Sequence, residues 1–287
     1  MPDNMTGTLY IVATPIGNLE DITQRALRIL GEVDIVACED TRRTRVLLNH
    51  FGIKTKTISY HEHNERDRSE QICQLLISGK NVALVSDAGT PLINDPGFRV
   101  TNAAIELNLA VVPVPGPTAF VSALVASGLA SDQFFFAGFL PARANARRAK
   151  LEEVRAIPAT LVFYEAPHRI AATLADALDV LGNRPAAIAR ELTKIHEEIA
   201  RGSLHDLIQR FAETARGEMV LLISGAGIDE AATTEQTAPR RLIERVGELE
   251  REGLGAKAAL KKAARELGMK RAEAYRLLVA QKNRRNK

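Results

Sequence analysis

Residues 82–97 read VALVSDAGTPLINDPG, and the fold turns on how this stretch is parsed. Val82-Ala83-Leu84-Val85 is a short, unbroken apolar run with β-branched residues, the pattern of a strand buried on both faces of a parallel sheet. Ser86-Asp87-Ala88-Gly89-Thr90-Pro91 ends it with small turn formers. Gly89 permits close backbone approach and unusual φ, while Pro91 fixes φ and removes a donor. Pro96-Gly97 then precedes a predicted helix over 98–107. Ligands of open α/β sheets bind just beyond the carboxyl ends of strands, so this loop is the first candidate site. A plain connecting turn would use the same residue types.

The same rhythm extends to both sides. Strands are predicted at 9–13, 34–38 and 57–60, each running into a polar loop, with helices at 24–30, 44–51 and 70–78. Thr23 is placed to cap the first helix. The second strand leads into Glu39-Asp40-Thr41-Arg42-Arg43-Thr44-Arg45. Its arginines match phosphate geometry, and a solvated first helical turn would look alike. His61 and His63 invite a metal reading, but no HExxH or Cys/His set accompanies them, so a polar loop or substrate contact is expected there and no metal. Residues 111–119, VVPVPGPTA, are too proline-rich for a long central strand and read as a rigid hinge before a helix at 118–127. Strands at 133–139, 160–164, 186–189 and 218–223, with helices at 141–153 and 203–210, repeat the α/β pattern. Ser224-Gly225-Ala226-Gly227 starts like a dinucleotide fingerprint, but Glu230 stands where the third glycine belongs. The domains are expected at 1–114 and 115–227, with a linker at 228–238 and a helical tail at 239–287.

Composition sets bounds. The chain has 287 residues, 46% hydrophobic and 25% charged, ordinary for a soluble globular protein. No run reaches the roughly 18 apolar residues of a membrane span, and the N-terminal stretch lacks a signal-peptide pattern. Two cysteines, Cys38 and Cys73, form no framework of pairs and suit a reducing cytosol, so a cytoplasmic protein is expected. From Pro239 onward stand 15 Lys/Arg against 6 Asp/Glu, leaving 23 against 29 elsewhere. Helices predicted at 240–251, 256–267 and 271–282, the last two joined by Gly268-Met269-Lys270, suit a helix-turn-helix or a plain three-helix bundle. The basic charge favours nucleic acid, with Lys261, Lys262, Lys270 and Arg271 as contacts.

VATPIGNLEDIT, CEDTRRT, VSDAGTPLINDPG, VPVPGPTA, FYEAPHRI, RELTKIHEE and GEMVLLISG occur in this order over residues 7–225. Together they resemble the bacterial 16S ribosomal RNA cytidine 2′-O-methyltransferases, a branch of the tetrapyrrole-methylase superfamily. The resemblance implies two α/β domains with an S-adenosylmethionine cleft between them and a small all-α helix-turn-helix at the C-terminus. It also implies a homodimer acting on 16S ribosomal RNA within the small subunit. Carried over residue by residue, Pro15 and Ile16 lie beside the cofactor. Ala88, Gly89, Thr90 and Ile93 correspond to the loop holding its amino-acid and ribose portions. An acid stands at the position of Thr90 in tetrapyrrole relatives. Thr118 and Ala119 match a small pair after the hinge, and Phe163, Tyr164 and Glu165 the next wall. Leu192, Glu218 and Met219 would frame the adenine.

Methyl transfer to a ribose hydroxyl is an in-line displacement by a poor nucleophile, which a base or a stabilising cation assists. Glu191, Lys194 and His196, with Glu197, form a strand-end cluster of candidates. Asp40, Arg42, Arg43, Arg147 and Arg148 are candidates for positioning RNA. All of these side chains could instead be salt bridges that only build the cleft. Two other classes stay open: a small-molecule methylase, which has no use for the tail, and a non-enzymatic RNA-binding module, which binds no cofactor.

Overall fold

The computed structural model describes residues 6–212, 217–227, 245–247, 249–250 and 254–266. The first sheet is wholly parallel. β1 (Thr8–Val12), β2 (Ile35–Cys38), β3 (Lys56–Ser59), β4 (Val82–Val85) and β5 (Ala110–Val114) lie in the order β3-β2-β4-β1-β5. β4 sits at the centre and all four of its residues are buried. Alternation divides it: Ala83 and Val85 pack on α1 (Gln24–Glu32) and α2 (Thr41–His50). Val82 and Leu84 pack on α3 (Glu65–Ile77) and α4 (Phe98–Glu106). A strand flanked by helices on both faces has no polar side, hence the unbroken apolar run. Pro113 is tolerated in β5 because that strand is an edge.

α1 and α2 start on side-chain caps. Thr23 Oγ1 accepts the Ala26 amide at 3.1 Å, as expected. α2 begins three residues earlier than the sequence pattern indicated, because the Asp40 carboxylate accepts the Arg42 amide and caps it. α3 also starts early, at Glu65 rather than 70, without a side-chain cap.

The second sheet is mixed. After α5 (Ala119–Ser127) come β6 (Phe134–Phe139), α6 (Ala144–Val154), β7 (Thr160–Glu165), α7 (Ile170–Leu181), β8 (Pro185–Arg190), β9 (Glu198–Ser203), α8 (Leu204–Arg210) and β10 (Met219–Ile223). The order is β6-β7-β10-β8-β9, with only β6 and β7 parallel. β10 runs antiparallel to β7 and β8, so its start meets their carboxyl ends. β9 was not anticipated from sequence. α5 covers one face of this sheet through Ala123 and Leu124, packed with Val162, Ala187, Val220 and Leu222.

Both sheets fall in one compact unit, Met1–Arg155 with Thr160–Ile223. Ile16, on the loop after β1, is part of the core of the second sheet, which ties the lobes together. The other unit is Ala156–Ala159 with Ser224–Lys287. Within it α9 (Ala256–Glu266) buries Ala259, Leu260, Ala263 and Ala264 against Val246 and Leu249. The linker at 228–238, the turn at 268–270 and the last expected helix lie outside the described residues. Among the described residues no helix is long and apolar enough to cross a membrane.

Candidate active site

Loops from both sheets converge on one cavity of about 380 Å³, within the roughly 300–1,000 Å³ typical of small-molecule sites. The loops after β1, β4 and β5 give it Ile16, Ala88 to Thr90, Ile93 to Asp95, Thr118 and Ala119. The second sheet gives Phe139, Tyr164 to Pro167, Ala189, Leu192 and Glu218 to Val220. The loop after β4 is pinned at its root. The Thr14 amide donates to the Gly89 carbonyl at 2.8 Å, and the Gly89 amide returns a bond to Thr14 at 3.0 Å. Gly89 has φ +81°, a region a side chain would resist. The Thr90 and Thr118 hydroxyls meet at 2.8 Å, joining this loop to the start of α5.

Farther along, Leu92 and Asn94 take φ of 73° and 62°, a conformation non-glycine residues hold only where surrounding contacts impose it. Asn94 presses on Gly138 of β6: a Cβ on that glycine would stand 2.5 Å from Asn94 Oδ1. The loop therefore reaches the second sheet and brings Asp95 to the wall.

The charged side chains of the wall are all acids: Asp95, Glu165 and Glu218. Glu165 is fully buried and committed, accepting from Thr173 Oγ1 at 2.6 Å and from the Ala166 amide at 2.8 Å, and pairing with Arg169 at 3.1 Å. Glu218 is exposed and pairs with Lys194 at 3.2 Å. Asp95 is different. Burial pushes its pKa up to about 6; Ser86, whose buried hydroxyl has no well-aligned partner, draws it back, and Glu39 and Asp87 raise it further. Among the described residues it has no ion-pair partner.

This geometry suits S-adenosylmethionine. The wall is largely apolar, offers the Thr90–Thr118 hydroxyl pair, and carries carboxylates but no Lys, Arg or His, as a cationic sulfonium and ammonium require.

Of the expected cofactor residues, Ile16, Ala88, Gly89, Thr90, Ile93, Thr118, Ala119, Tyr164, Glu165, Leu192, Glu218 and Met219 reach this one wall, while Pro15 and Phe163 do not. Phe163 is fully buried; its neighbours Val162 and Tyr164 pack toward α5, and strand alternation turns Phe163 to the other face. Asn94, Asp95, Phe139, Ala166, Pro167, Ala189 and Val220 were missed.

Glu191, Lys194 and His196 line a second, more open concavity of about 680 Å³ with Asn18 and His50. Glu191, at φ 50°, accepts from Lys194 Nζ at 3.0 Å and from the Glu218 amide at 2.9 Å. Those two donors lower its pKa. Burial alone would lower Lys194, but its carboxylate partners outweigh this and raise it. Lys194 is thus a standing cation bracing a loop, unsuited to take a proton.

Arg42 and Arg43 extend from the start of α2 and are 90% and 73% exposed. They pair with Asp40 at 2.7 Å and Asp87 at 3.2 Å. The Arg42 side chain, then its amide, holds the Asp40 carboxyl far below the usual range. Arg147 requires a correction. Its guanidinium is buried and bound to Asp176 at 2.6 Å, because α6 turns this side chain inward against α7, so it presents no charge to RNA. Arg148 is half exposed and pairs with Asp176 and Asp179. Lys261 and Lys262 are exposed on α9; Lys270 and Arg271 lie outside the described residues. His61 and His63 approach at 6.0 Å between ring centres. Among the described residues no three His, Cys, Asp or Glu are grouped to hold a metal.

Residues 8–208 match the family described as Tetrapyrrole (Corrin/Porphyrin) Methylases. A Ribosomal RNA small subunit methyltransferase I of Halalkalibacterium halodurans is 47% identical, over 94% of each chain. Its namesake in Mesorhizobium japonicum is 48% identical over 94% of this chain and 91% of that one. The Escherichia coli O157:H7 protein of the same name is 50% identical over 78% and 79%. Among solved structures, the uroporphyrin-III-C-methyltransferase of Thermus thermophilus superposes with a TM-score of 0.55 at 20% identity, over 79% of this chain and 98% of that one. A diphthine synthase gives 0.58 at 15%, over 76% and 90%. These two likenesses establish the fold alone.

Proposed function

The chain belongs to the tetrapyrrole methylase family and, within it, to the ribosomal RNA small subunit methyltransferases I, and from that premise we propose that it methylates the 2′-oxygen of a cytidine in the decoding region of 16S ribosomal RNA. The observation that carries the reading is the acid-lined cavity at the strand ends, sized for a small cationic donor. When bound, S-adenosylmethionine supplies an electrophilic methyl carbon. The protein's part is to bind, orient and keep out water. The Thr90 and Thr118 hydroxyls offer polar contacts at one side of the cavity, and Ile16, Tyr164, Leu192 and Met219 supply its apolar surface. Holding nucleophile and carbon in line removes an entropic barrier that a ribose hydroxyl in water must meet in full.

Exposed Arg42 and Arg43 stand at the carboxyl end of β2, beside β4, whose loop lines the cavity. There they are suited to grip phosphates flanking the target nucleotide. Lys261 and Lys262 on the basic tail add sequence-independent attraction. The reading includes a homodimer, for which exposed Val121, Val125, Phe134 and Phe139 supply apolar surface. Incubating unmethylated small subunits with methyl-labelled cofactor tests the function. Label on a cytidine ribose 2′-oxygen is expected; label on a base, or none while a known methylase is active, rejects it.

A further inference from the structure

Ile195, on the loop between β8 and β9, is 97% exposed, against 74% for Val125, the next most exposed large apolar side chain among the described residues. A lone exposed isoleucine on a loose loop would mean little. This loop is built to hold it out. The Glu197 amide donates to the Lys194 carbonyl at 3.1 Å, closing a turn with Ile195 and His196 at its tip, positions where polar residues and glycine are the usual choice. The Thr193 amide donates to the Glu197 carboxylate at 2.6 Å, and Lys194 Nζ ties the base of the turn to Glu191 at 3.0 Å and Glu218 at 3.2 Å. Glu191 and the β-branched Thr193 take φ of 50° and 66°, and the Thr193 hydroxyl is buried without a partner. Strain of this kind persists only where surrounding contacts impose it, and it gathers at functional sites.

The loop is also one wall of the site. Ile16 and Leu192 line the cavity, whereas the next residue of each loop, Gly17 and Thr193, lines the open concavity of about 680 Å³. The partition between the two is tight: a Cβ on Gly17 would stand 2.9 Å from both the Leu192 carbonyl oxygen and Thr193 Oγ1. We infer that Ile195 is an apolar wedge, entering the base stack of the RNA beside the target nucleotide and filling the gap left when that nucleotide turns into the cavity; the inference rests on the proposed function and deepens it. A stacked nucleotide keeps its sugar among its neighbours, so a ribose hydroxyl reaches an enclosed carbon only when its nucleotide leaves the stack. Unstacking is unfavourable, and an apolar side chain inserted at the step offsets it. The concavity beside Ile195 then receives the flanking base, with the His50 and His196 rings as stacking surfaces. Phosphate is the wrong occupant: Lys194 is the only lysine or arginine on that wall, and Glu191 and Glu218 already hold it.

The test compares wild type, Ile195→Ser and Ile195→Leu as full-length proteins on unmethylated small subunits with methyl-labelled cofactor. Ile195→Ser is expected to lower kcat/KM by about 10–100-fold, the scale of one lost base-stacking contact, and Ile195→Leu to recover most of it. Because the side chain is exposed, melting temperature should not change, and S-adenosylhomocysteine affinity by calorimetry should stay within about threefold of wild type. The slope of log K against log salt for small-subunit binding should also be unchanged, since no phosphate contact is removed. In complexes saturated with protein and S-adenosylhomocysteine, base-directed chemical probing should show altered reactivity at nucleotides flanking the methylated position with wild type and not with Ile195→Ser. Undiminished kcat/KM in Ile195→Ser, or the same flanking reactivity with both proteins, overturns the wedge and leaves the functional reading standing. So does a loss of activity that sedimentation traces to an altered oligomeric state, which would give Ile195 to a second copy of the chain. Label placed by wild type anywhere but a ribose 2′-oxygen overturns the functional reading instead.

Discussion

Replacing Arg147 with Ala distinguishes a buried brace from an RNA contact. Its guanidinium reaches Asp176 at 2.6 and 2.7 Å and the Ala142 carbonyl at 3.2 Å, and both charged side chains are only 6% exposed. Truncation leaves the Asp176 carboxylate buried with Arg148 alone, 2.6 Å away, as a cation. Breaking one side of such a pair costs about 3–5 kcal/mol. For a body of this size each kcal/mol lowers Tm by about 2–4 °C, so a fall of about 6–20 °C is expected by scanning calorimetry. Arg148→Ala keeps the buried pair and should melt close to wild type. In an Asp176→Ala background, removal of Arg147 should cost far less, because its partner is already gone. RNA affinity, measured well below the transition, should be unchanged in Arg147→Ala. A melting loss under about 2 °C, or weakened RNA binding by folded protein, would refute the assignment.

Thr90→Val removes the 2.8 Å hydroxyl contact with Thr118 at the cavity edge. A loss of about 1 kcal/mol in cofactor binding, roughly fivefold in Kd, is expected by calorimetry. Gly138→Ala introduces a Cβ at φ +65° and 2.5 Å from Asn94. It should cost about 1–2 kcal/mol in denaturant unfolding, and should weaken cofactor binding too, since Asn94 and Asp95 share that loop; unchanged binding would detach the loop from the site. Lys261→Glu with Lys262→Glu should weaken RNA binding uniformly across sequences. The slope of log K against log salt should become shallower by about 1–2, and an unaltered slope would take these lysines out of the RNA surface.

Much of the fold was legible because buried strands leave a strong local trace. Val82–Val85 reads as a central strand with no help from its neighbours, and Gly89 and the Pro-Gly pair mark the loop that follows. β9 left no such trace: Glu198–Ser203 alternates weakly, and it is a strand because β8 pairs with it residue for residue. The inward turn of Arg147 was equally silent, since its partner lies 29 positions on, in another helix. A basic helix start looks the same whether its arginines face RNA or a buried aspartate. Asp95, in the stretch ahead of α4, was not singled out from sequence. Its raised pKa comes first from burial, and then from Glu39 at the end of β2 and Asp87 on its own loop, surroundings only the folded sheet creates. The resemblance located most of the cavity wall but put Phe163 on it, where strand alternation turns that ring away.

The most direct test of the cofactor seat is calorimetric titration of wild type and Ala88→Trp with S-adenosylhomocysteine. Ala88 is exposed on the cavity wall, so the bulkier side chain fills the space without entering a core. One saturable site per chain is expected in the wild type, and none in the variant at unchanged circular dichroism. Equal affinity in both proteins would contradict the placement of the methyl donor between the two sheets.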